Sequence, residues 1–161
     1  LVEEPAAELD LGAAAAGDGA ALELTRRLAA SPIPVALDES LRDAPPGALR
    51  AIAGRGFPAA VVLKPTVLGG VARALELAAE ARDVGVDVIV THAFEGPLAL
   101  AAASVVALAV GSTGRAMGLD LHPGVTAWPA RRVPALRGTA LEPWREPGLG
   151  IAPLASEADD P

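Results

Sequence analysis

Lys64 is the residue whose type and position most directly suggest chemistry. It directly follows the apolar, strand-like run Ala59 to Leu63, and the other 12 of the 13 basic residues are arginine. A lysine ammonium is a compact charge whose pKa responds to burial, whereas an arginine stays charged. A lysine at the carboxyl end of a buried strand is therefore a candidate catalytic residue. The alternative is a surface lysine at a strand end.

Two carboxylates also directly follow apolar runs, as Lys64 does. Glu3 follows the apolar pair Leu1-Val2, and Asp38 follows the run Pro34 to Leu37. If both strands end at one edge of a sheet, two oxygen ligands meet there, as Mg²⁺ prefers. Either side chain alone could instead be a helix cap or a solvated loop charge. A dication that faces an ammonium suits a reaction with a developing anion, such as an enolate of a carboxylate substrate.

The elements that must position these residues alternate between short apolar runs and amphipathic segments. We predict strands at Leu1–Val2, Pro34–Leu37, Ala59–Leu63, Val86–Val90 and Ala116–Leu119. Helices are predicted at Gly19–Ala30, Pro46–Gly54, Gly70–Asp83 and Leu98–Val110, with Gly69-Gly70 as a turn and Glu95 at the start of the last helix. This alternation predicts an α/β fold with a parallel sheet covered by helices.

Polar side chains come at the carboxyl end of every predicted strand. They are Glu3, Asp38, Lys64, Thr91 and Asp120. Convergence of strand ends on one face is how a (β/α)8 barrel builds its active site. A doubly wound nucleotide-binding sheet is the alternative, but no G-x-G-x-x-G follows a strand. The pattern therefore favours part of a barrel.

Composition limits the class of protein. The chain has 161 residues, 52% of them hydrophobic, which is enough for about one domain. A net charge of −7 argues against nucleic acid as a partner, and no apolar stretch is long enough to predict a membrane span. Zinc is not favoured, since there is no cysteine and no paired-histidine spacing, and the lack of cysteine suits a cytoplasmic protein. The start at Leu1 rather than methionine suggests a piece of a longer reading frame.

Five segments resemble, in order, the last five barrel strands of the enolase superfamily. They are LVEEP, VALDESL, VVLKPTVLGG, VIVTHAFEGPLAL and MGLDLHPG. Within that superfamily the likeness is greatest to the o-succinylbenzoate synthases, the dehydratases of menaquinone biosynthesis, through K-P-T-x-x-G-G together with D-E-S-L. The resemblance covers residues 1–124 and implies about strands 4–8 of a TIM-type barrel. Residues 125–161 are predicted to be a Pro/Gly-rich extension with an acidic tail.

The resemblance implies a role for each matching position. Glu3 and Asp38 would be the second and third metal ligands, and Lys64 the sixth-strand lysine that faces the substrate. Thr91 would lie near the substrate carboxylate, and the Gly118 amide would help to hold the succinyl end. Such enzymes usually use Mg²⁺, with Mn²⁺ also possible. They dehydrate a cyclohexadiene carboxylate by syn elimination through an enediolate.

Two parts of the family pattern would lie before Leu1: the Lys-x-Lys base and the first aspartate ligand. We therefore expect the chain to be inactive by itself and to need the missing N-terminal part of the same enzyme. N-acylamino acid racemase and muconate cycloisomerase are alternatives within the superfamily. A non-catalytic truncated barrel that binds a partner is the alternative of another class. His92 and Asp120 are predicted to line the mouth of the barrel, although His92 could be a loop histidine without a role, and His122 has no assigned role.

Overall fold

The computed structural model describes residues 1–5, 9–53, 57–111, 114–120, 136–137, 140–145 and 147–150. Its centre is a parallel sheet whose four strands lie side by side in chain order. The strands are β1 (Val2–Glu3), β2 (Val35–Leu37), β3 (Ala60–Leu63) and β4 (Asp87–Val90). Sequential parallel neighbours joined by helices are the arrangement of a barrel segment. The predicted α/β fold and partial barrel are confirmed.

Helices connect and cover these strands. They are α1 (Leu11–Ala16), α2 (Gly19–Ala29), α3 (Ala48–Ala53), α4 (Pro65–Leu68), α5 (Val71–Asp83) and α6 (Pro97–Val110). A 3₁₀ turn, Glu39–Leu41, follows β2, and a separate two-stranded antiparallel sheet pairs β5 (Leu136–Arg137) with β6 (Ala140–Leu141). No helix in the described part of the chain is long and apolar enough to cross a membrane.

The two faces of the sheet differ in side-chain size. One face carries large aliphatic side chains that join the helices in the main core, namely Val35, Leu37, Val61, Leu63, Val88 and Val90. The other carries a small cluster of Ala36, Ala60, Val62 and the partly buried Ile89. Successive side chains of a strand point to opposite faces. Asp38, Lys64 and Thr91 lie two residues beyond members of the small cluster, so they continue this second face at the carboxyl edge.

The fifth predicted strand is shorter than expected. Over Ala116–Leu119, pairing is limited to one parallel bridge between Thr91 and Gly118. Leu119 is buried in the main core while Gly118 is exposed, so these two residues face opposite sides, as successive residues of a strand do. The bridge nevertheless places Gly118 beside the end of β4, as the prediction required.

Two short helices were not predicted. The Asp10 carboxylate begins α1 by accepting from the Ala13 amide at 2.8 Å, and Gly17 ends it with φ of 92°. Four consecutive alanines give this helix little hydrophobic periodicity, which is why the pattern missed it. The second, α4, begins at Pro65 directly after Lys64. Gly69 and Gly70 form the predicted turn, with φ of 96° and 125°.

Candidate active site

Lys64 lies in a cluster of three carboxylates. It caps the start of α4, and only 19% of its side chain is exposed. Its Nζ donates to Asp38 Oδ2 and lies 3.6 Å from Glu3 Oε1 and 3.9 Å from Glu39 Oε1. The ends of β1, β2 and β3 therefore bring Glu3, Asp38 and Lys64 together. Glu39 is an addition that the sequence did not suggest, because its position in the turn after β2 depends on the tertiary path.

Burial controls the electrostatics of this cluster. Asp38 is 4% exposed, and its burial and its contact with Glu3 outweigh the attraction of Lys64 and raise its pKa to about 6. For Lys64, burial disfavours the ammonium, but the hydrogen bond and charge of Asp38, with smaller contributions from Glu39 and Glu3, raise its pKa above its usual value. Lys64 is thus a retained cation in a site that has more carboxylates than ammonium groups.

Glu4 attaches β1 to the turn that follows β2. Its carboxylate accepts from the Asp38 amide at 2.5 Å, from the Ser40 amide at 3.2 Å and from the Ser40 hydroxyl. The Glu4 backbone has φ of 31°, a conformation that is uncommon outside glycine. The sequence pattern did not predict that Glu4 would connect these two elements. The adjacent acidic pair in Glu3-Glu4-Pro5 was the available signal, since two side chains at consecutive positions diverge and cannot both serve one ligand.

Thr91 and Gly118 form a close contact between β4 and the next segment. The Gly118 amide donates to the Val90 carbonyl at 2.9 Å, and the Thr91 hydroxyl donates to the Gly118 carbonyl at 2.8 Å. A Cβ at Gly118 would lie 2.5 Å from Thr91 Oγ1, so only glycine fits without a shift. The Gly118 amide already has a partner within the sheet, and its predicted contact with substrate stays a prediction.

His92 has both ring nitrogens engaged. Nδ1 accepts from the Phe94 amide at 3.1 Å, so the ring proton is on Nε2, which lies 3.2 Å from the Asp120 carbonyl oxygen that accepts it. The ring is 9% exposed. His92 therefore connects the loop after β4 to the segment after Gly118. The sequence suggested either a residue that lines the mouth of the barrel or a loop histidine without a role, and neither interpretation included this positioning role. His122 lies outside the described residues.

Glu95 does not begin a helix. α6 begins at Pro97, with Gly96 as its cap. Glu95 instead accepts from the Thr66 hydroxyl of α4 and from the Ala93 amide of its own loop. Burial opposes its ionisation, but these hydrogen bonds, aided by His92, lower its pKa below the usual value.

An open cavity of about 620 Å³ lies against the second face of the sheet at its carboxyl edge. Six of the seven residues singled out from the sequence line it: Glu3, Lys64, Thr91, His92, Gly118 and Asp120. Apolar side chains complete the lining at its sides, namely Leu1, Val62, Ile89, Phe94 and Met117. The seventh residue, Asp38, is buried behind Lys64. The sequence-predicted residues thus meet at one concave site of a size that suits a small molecule.

The donor set of this site suits a hard divalent cation. Glu3 and Asp38 offer carboxylate oxygens that already face a cation, the Lys64 ammonium. In the part of the chain that the structure describes, no group of three or more His, Asp or Glu side chains could hold a metal. The described residues therefore offer two carboxylates at this edge, and further ligands for a cation would come from water, substrate or another part of the protein.

Solved structures share this fold. Muconate lactonizing enzyme from Pseudomonas putida is 24% identical with a TM-score of 0.67, and the match covers 80% of this chain and 36% of that one. A putative mandelate racemase/muconate lactonizing enzyme from Roseovarius nubinhibens ISM, complexed with magnesium, is 25% identical with a TM-score of 0.63, covering 80% and 34%. A muconate cycloisomerase from Azorhizobium caulinodans is 25% identical with a TM-score of 0.60, covering 98% and 41%.

The chain thus spans between about a third and two-fifths of the length of these structures. No curated protein matches its sequence. The family described as enolase C-terminal domain-like matches residues 2–157, which runs past residue 124, where the sequence suggested a boundary. This match extends over nearly the whole chain and agrees with the parallel strand order and the polar strand ends. The chain belongs to the enolase C-terminal domain-like family.

Proposed function

We propose that this chain is the C-terminal barrel part of an o-succinylbenzoate synthase-like enzyme. In this proposal the complete enzyme removes water from a cyclohexadiene carboxylate in menaquinone biosynthesis. The observation that carries the proposal is the position of Lys64, a cation held against Asp38 and Glu3 at the wall of a concave site. A fixed cation there stabilises negative charge that develops on a bound carboxylate.

The described residues have separate tasks in this reaction. Glu3 and Asp38 would hold Mg²⁺, which supplies electrophilic stabilisation of the substrate carboxylate when it is bound. The Roseovarius nubinhibens structure, which is complexed with magnesium, supports this metal. Lys64 would place its ammonium charge beside the substrate, where it stabilises the enediolate. In a syn elimination the proton that leaves with the hydroxyl as water comes from the face of the base. Thr91 lines the cavity while its hydroxyl donates to the Gly118 carbonyl, so its oxygen would still be able to accept a hydrogen bond near the substrate carboxylate.

We assign the base that removes the α-proton to a part of the enzyme outside the described residues. Among the described residues, Lys64 is the only lysine. Both ring nitrogens of His92 already form hydrogen bonds within the protein. The partial coverage of longer structures supports an additional N-terminal segment. In this proposal that segment supplies the base and the remaining metal ligand, and the 161-residue chain is inactive alone.

Muconate cycloisomerase activity is the second candidate. It is favoured by the similarity to the muconate lactonizing enzyme from Pseudomonas putida and to the muconate cycloisomerase from Azorhizobium caulinodans. Both reactions pass through an anion next to a carboxylate, and the same site would serve either. A racemase would instead need Lys64 to exchange a proton with the α-carbon.

Lys64 variants test the central assignment. In the protein expressed from its full reading frame, Lys64→Met and Lys64→Arg should each lower kcat at least about 100-fold, since methionine removes the charge and arginine displaces it. KM should change less. The measurement is steady-state dehydration with Mg²⁺ present, and muconate is assayed in parallel to separate the two candidates.

Arg50→Lys is the matched control, because Arg50 is an exposed cation whose partner, Asp83, lies on a helix away from the cavity. It should leave kcat within about twofold. Lys64 variants that retain nearly full activity would overturn the proposal, as would dehydration by the 161-residue chain alone.

A further inference from the structure

Phe94 is a large apolar side chain placed in the open. It is 78% exposed, whereas the other phenylalanine, Phe57, is 2% exposed. Phe94 also has φ of 59°, a left-handed conformation that is disfavoured for a bulky residue. The loop therefore holds Phe94 in a strained backbone conformation and leaves its side chain largely exposed. Such a combination persists only where surrounding contacts impose it, and it is concentrated at ligand-binding positions.

The contacts that impose this conformation come from both sides of Phe94. Before it, His92 Nδ1 accepts from the Phe94 amide at 3.1 Å. After it, the Glu95 carboxylate accepts from Ala93 in the loop and from Thr66 on α4. The Phe94 ring meets the His92 ring edge-on, with centroids 5.7 Å apart and planes at 87°. Both the backbone and the ring of Phe94 are therefore oriented before any ligand binds.

The oriented ring lines the same cavity as Lys64 and Thr91. The polar groups of that cavity suit the carboxylate end of a ligand, while Phe94, Ile89 and Met117 form an apolar wall. An aromatic ring packs well against another planar π-system, in offset or edge-to-face geometry. A ligand with a carboxylate and an unsaturated ring satisfies both parts of the cavity.

We propose that Phe94 is a specificity-determining residue that contacts the unsaturated ring of the carboxylate substrate. This inference rests on the proposed function. It adds that Phe94 recognises the ring of the substrate, the part that lies away from the carboxylate. His92 is the positioning residue that holds Phe94 for this contact. Phe94 selects ring-containing carboxylates over carboxylates without a ring, and it takes no part in proton transfer.

Binding of two simple probes tests this selection. The dissociation constants of benzoate and acetate are measured by ligand-detected NMR on the protein expressed from its full reading frame, with Mg²⁺ present. Phe94→Ala should weaken benzoate binding by about tenfold and leave acetate binding within about twofold. Phe94→Leu, which keeps apolar area but loses the π-system, should be intermediate.

Leu98→Ala is the control, since Leu98 is 55% exposed near the same loop but does not line the cavity. It should change neither dissociation constant. Equal weakening of both probes, or none for benzoate, in Phe94→Ala overturns the inference. A lowered Tm with unchanged benzoate binding also overturns it, because Phe94 would then pack against another segment.

The Lys64 variants separate the two proposals. If they stay active while Phe94→Ala weakens benzoate binding but not acetate binding, the dehydration proposal fails and the ring contact stands. If they lose activity while Phe94→Ala affects both probes equally or leaves benzoate binding unchanged, only the Phe94 inference fails.

Discussion

The ammonium of Lys64 and the carboxylate of Asp38 depend on each other because both are removed from water. Asp38 is 4% exposed and Lys64 19%. Removing one member of such a pair leaves a desolvated charge, which is far more costly than losing an exposed ion pair. The chain also keeps more carboxylates beside Lys64 than one ammonium can neutralise. The Glu3 and Glu39 side chains are 55% and 69% exposed, so water solvates their charges and their oxygens are accessible to a further cation such as the proposed metal.

Glu4 should be important for stability although it faces away from the chemistry. Glu4→Gln keeps the side-chain size but replaces one acceptor oxygen by an amide donor that faces the donors of Asp38 and Ser40. We expect a loss of about 1–3 kcal/mol in the free energy of unfolding. Urea unfolding of the protein expressed from its full reading frame measures it.

Glu23→Gln is the matched control for Glu4. Its carboxylate is 57% exposed and pairs with Arg26 one helical turn away. Exposed pairs of this kind contribute less than about 1 kcal/mol. An effect of Glu4→Gln no larger than that of Glu23→Gln would show that Glu4 does not hold β1 to the turn after β2.

At the scale of elements, side-chain hydrogen bonds hold the loop between β4 and α6. Glu95 joins it to α4 through Thr66, and His92 joins it to the segment after Gly118 through the Asp120 carbonyl. Because the loop is held at both sides, its residues lose less conformational entropy when a ligand binds. The energetic link between loop and helix should therefore depend on the charge of Glu95.

Acid should weaken this link. The pKa of Glu95 is lower in the folded protein than its usual 4.5, so the folded state binds this proton less readily than the unfolded chain. The stabilisation is present above about pH 4.5 and is lost as the pH falls through the lower folded-state value. Glu95→Gln should lower Tm near pH 7, and its difference from the parent should shrink toward pH 3.

Thermal unfolding of both proteins between pH 7 and pH 3 measures that difference. Glu76→Gln, which alters an exposed carboxylate paired with Arg73, is the control and should show little pH-dependent change. A Tm difference between Glu95→Gln and the parent that stays constant across this range would contradict the assigned ionic role of Glu95.

At the scale of the whole molecule, the sheet differs between its two faces and its edge. Helices cover the face with large aliphatic side chains, and on the other face Ala36, Ala60 and Val62 are buried while Ile89 is half-buried beside the cavity. β1 is the last strand at one side of the four-stranded sheet, and the neighbouring Leu1 is 51% exposed. An edge strand of this kind is a template for association.

We therefore expect the 161-residue chain, expressed alone, to associate. Size-exclusion chromatography should show species larger than its 16.1 kDa mass, with a proportion that rises with protein concentration. The protein expressed from its full reading frame is the control, and its elution should not vary in this way. A concentration-independent monomer of the 161-residue chain would indicate a self-sufficient domain and would contradict the proposed missing part.

The sequence by itself determined the fold class and which polar residues end the strands. Val, Leu and Ala runs predicted the parallel strands, and the residues that follow them, Glu3, Asp38, Lys64 and Thr91, marked the carboxyl edge of the sheet, because both are local properties of hydrophobic patterning. Helix ends were predicted to within about two residues. The six-residue α1 and the short α4 were missed, since so few residues carry little periodicity.

Only the tertiary structure decided which side chains touch. Glu4 lies 36 positions from Ser40, Thr66 lies 29 from Glu95, and His92 lies 28 from Asp120. No local pattern encodes these pairs, because each depends on how separate strand ends are brought to one edge of the sheet. The raised pKa of Asp38 has the same origin: burial and the approach of Glu3 are properties of the folded site. Residue type defined the possible chemistry, and the packing of the strands selected the partners.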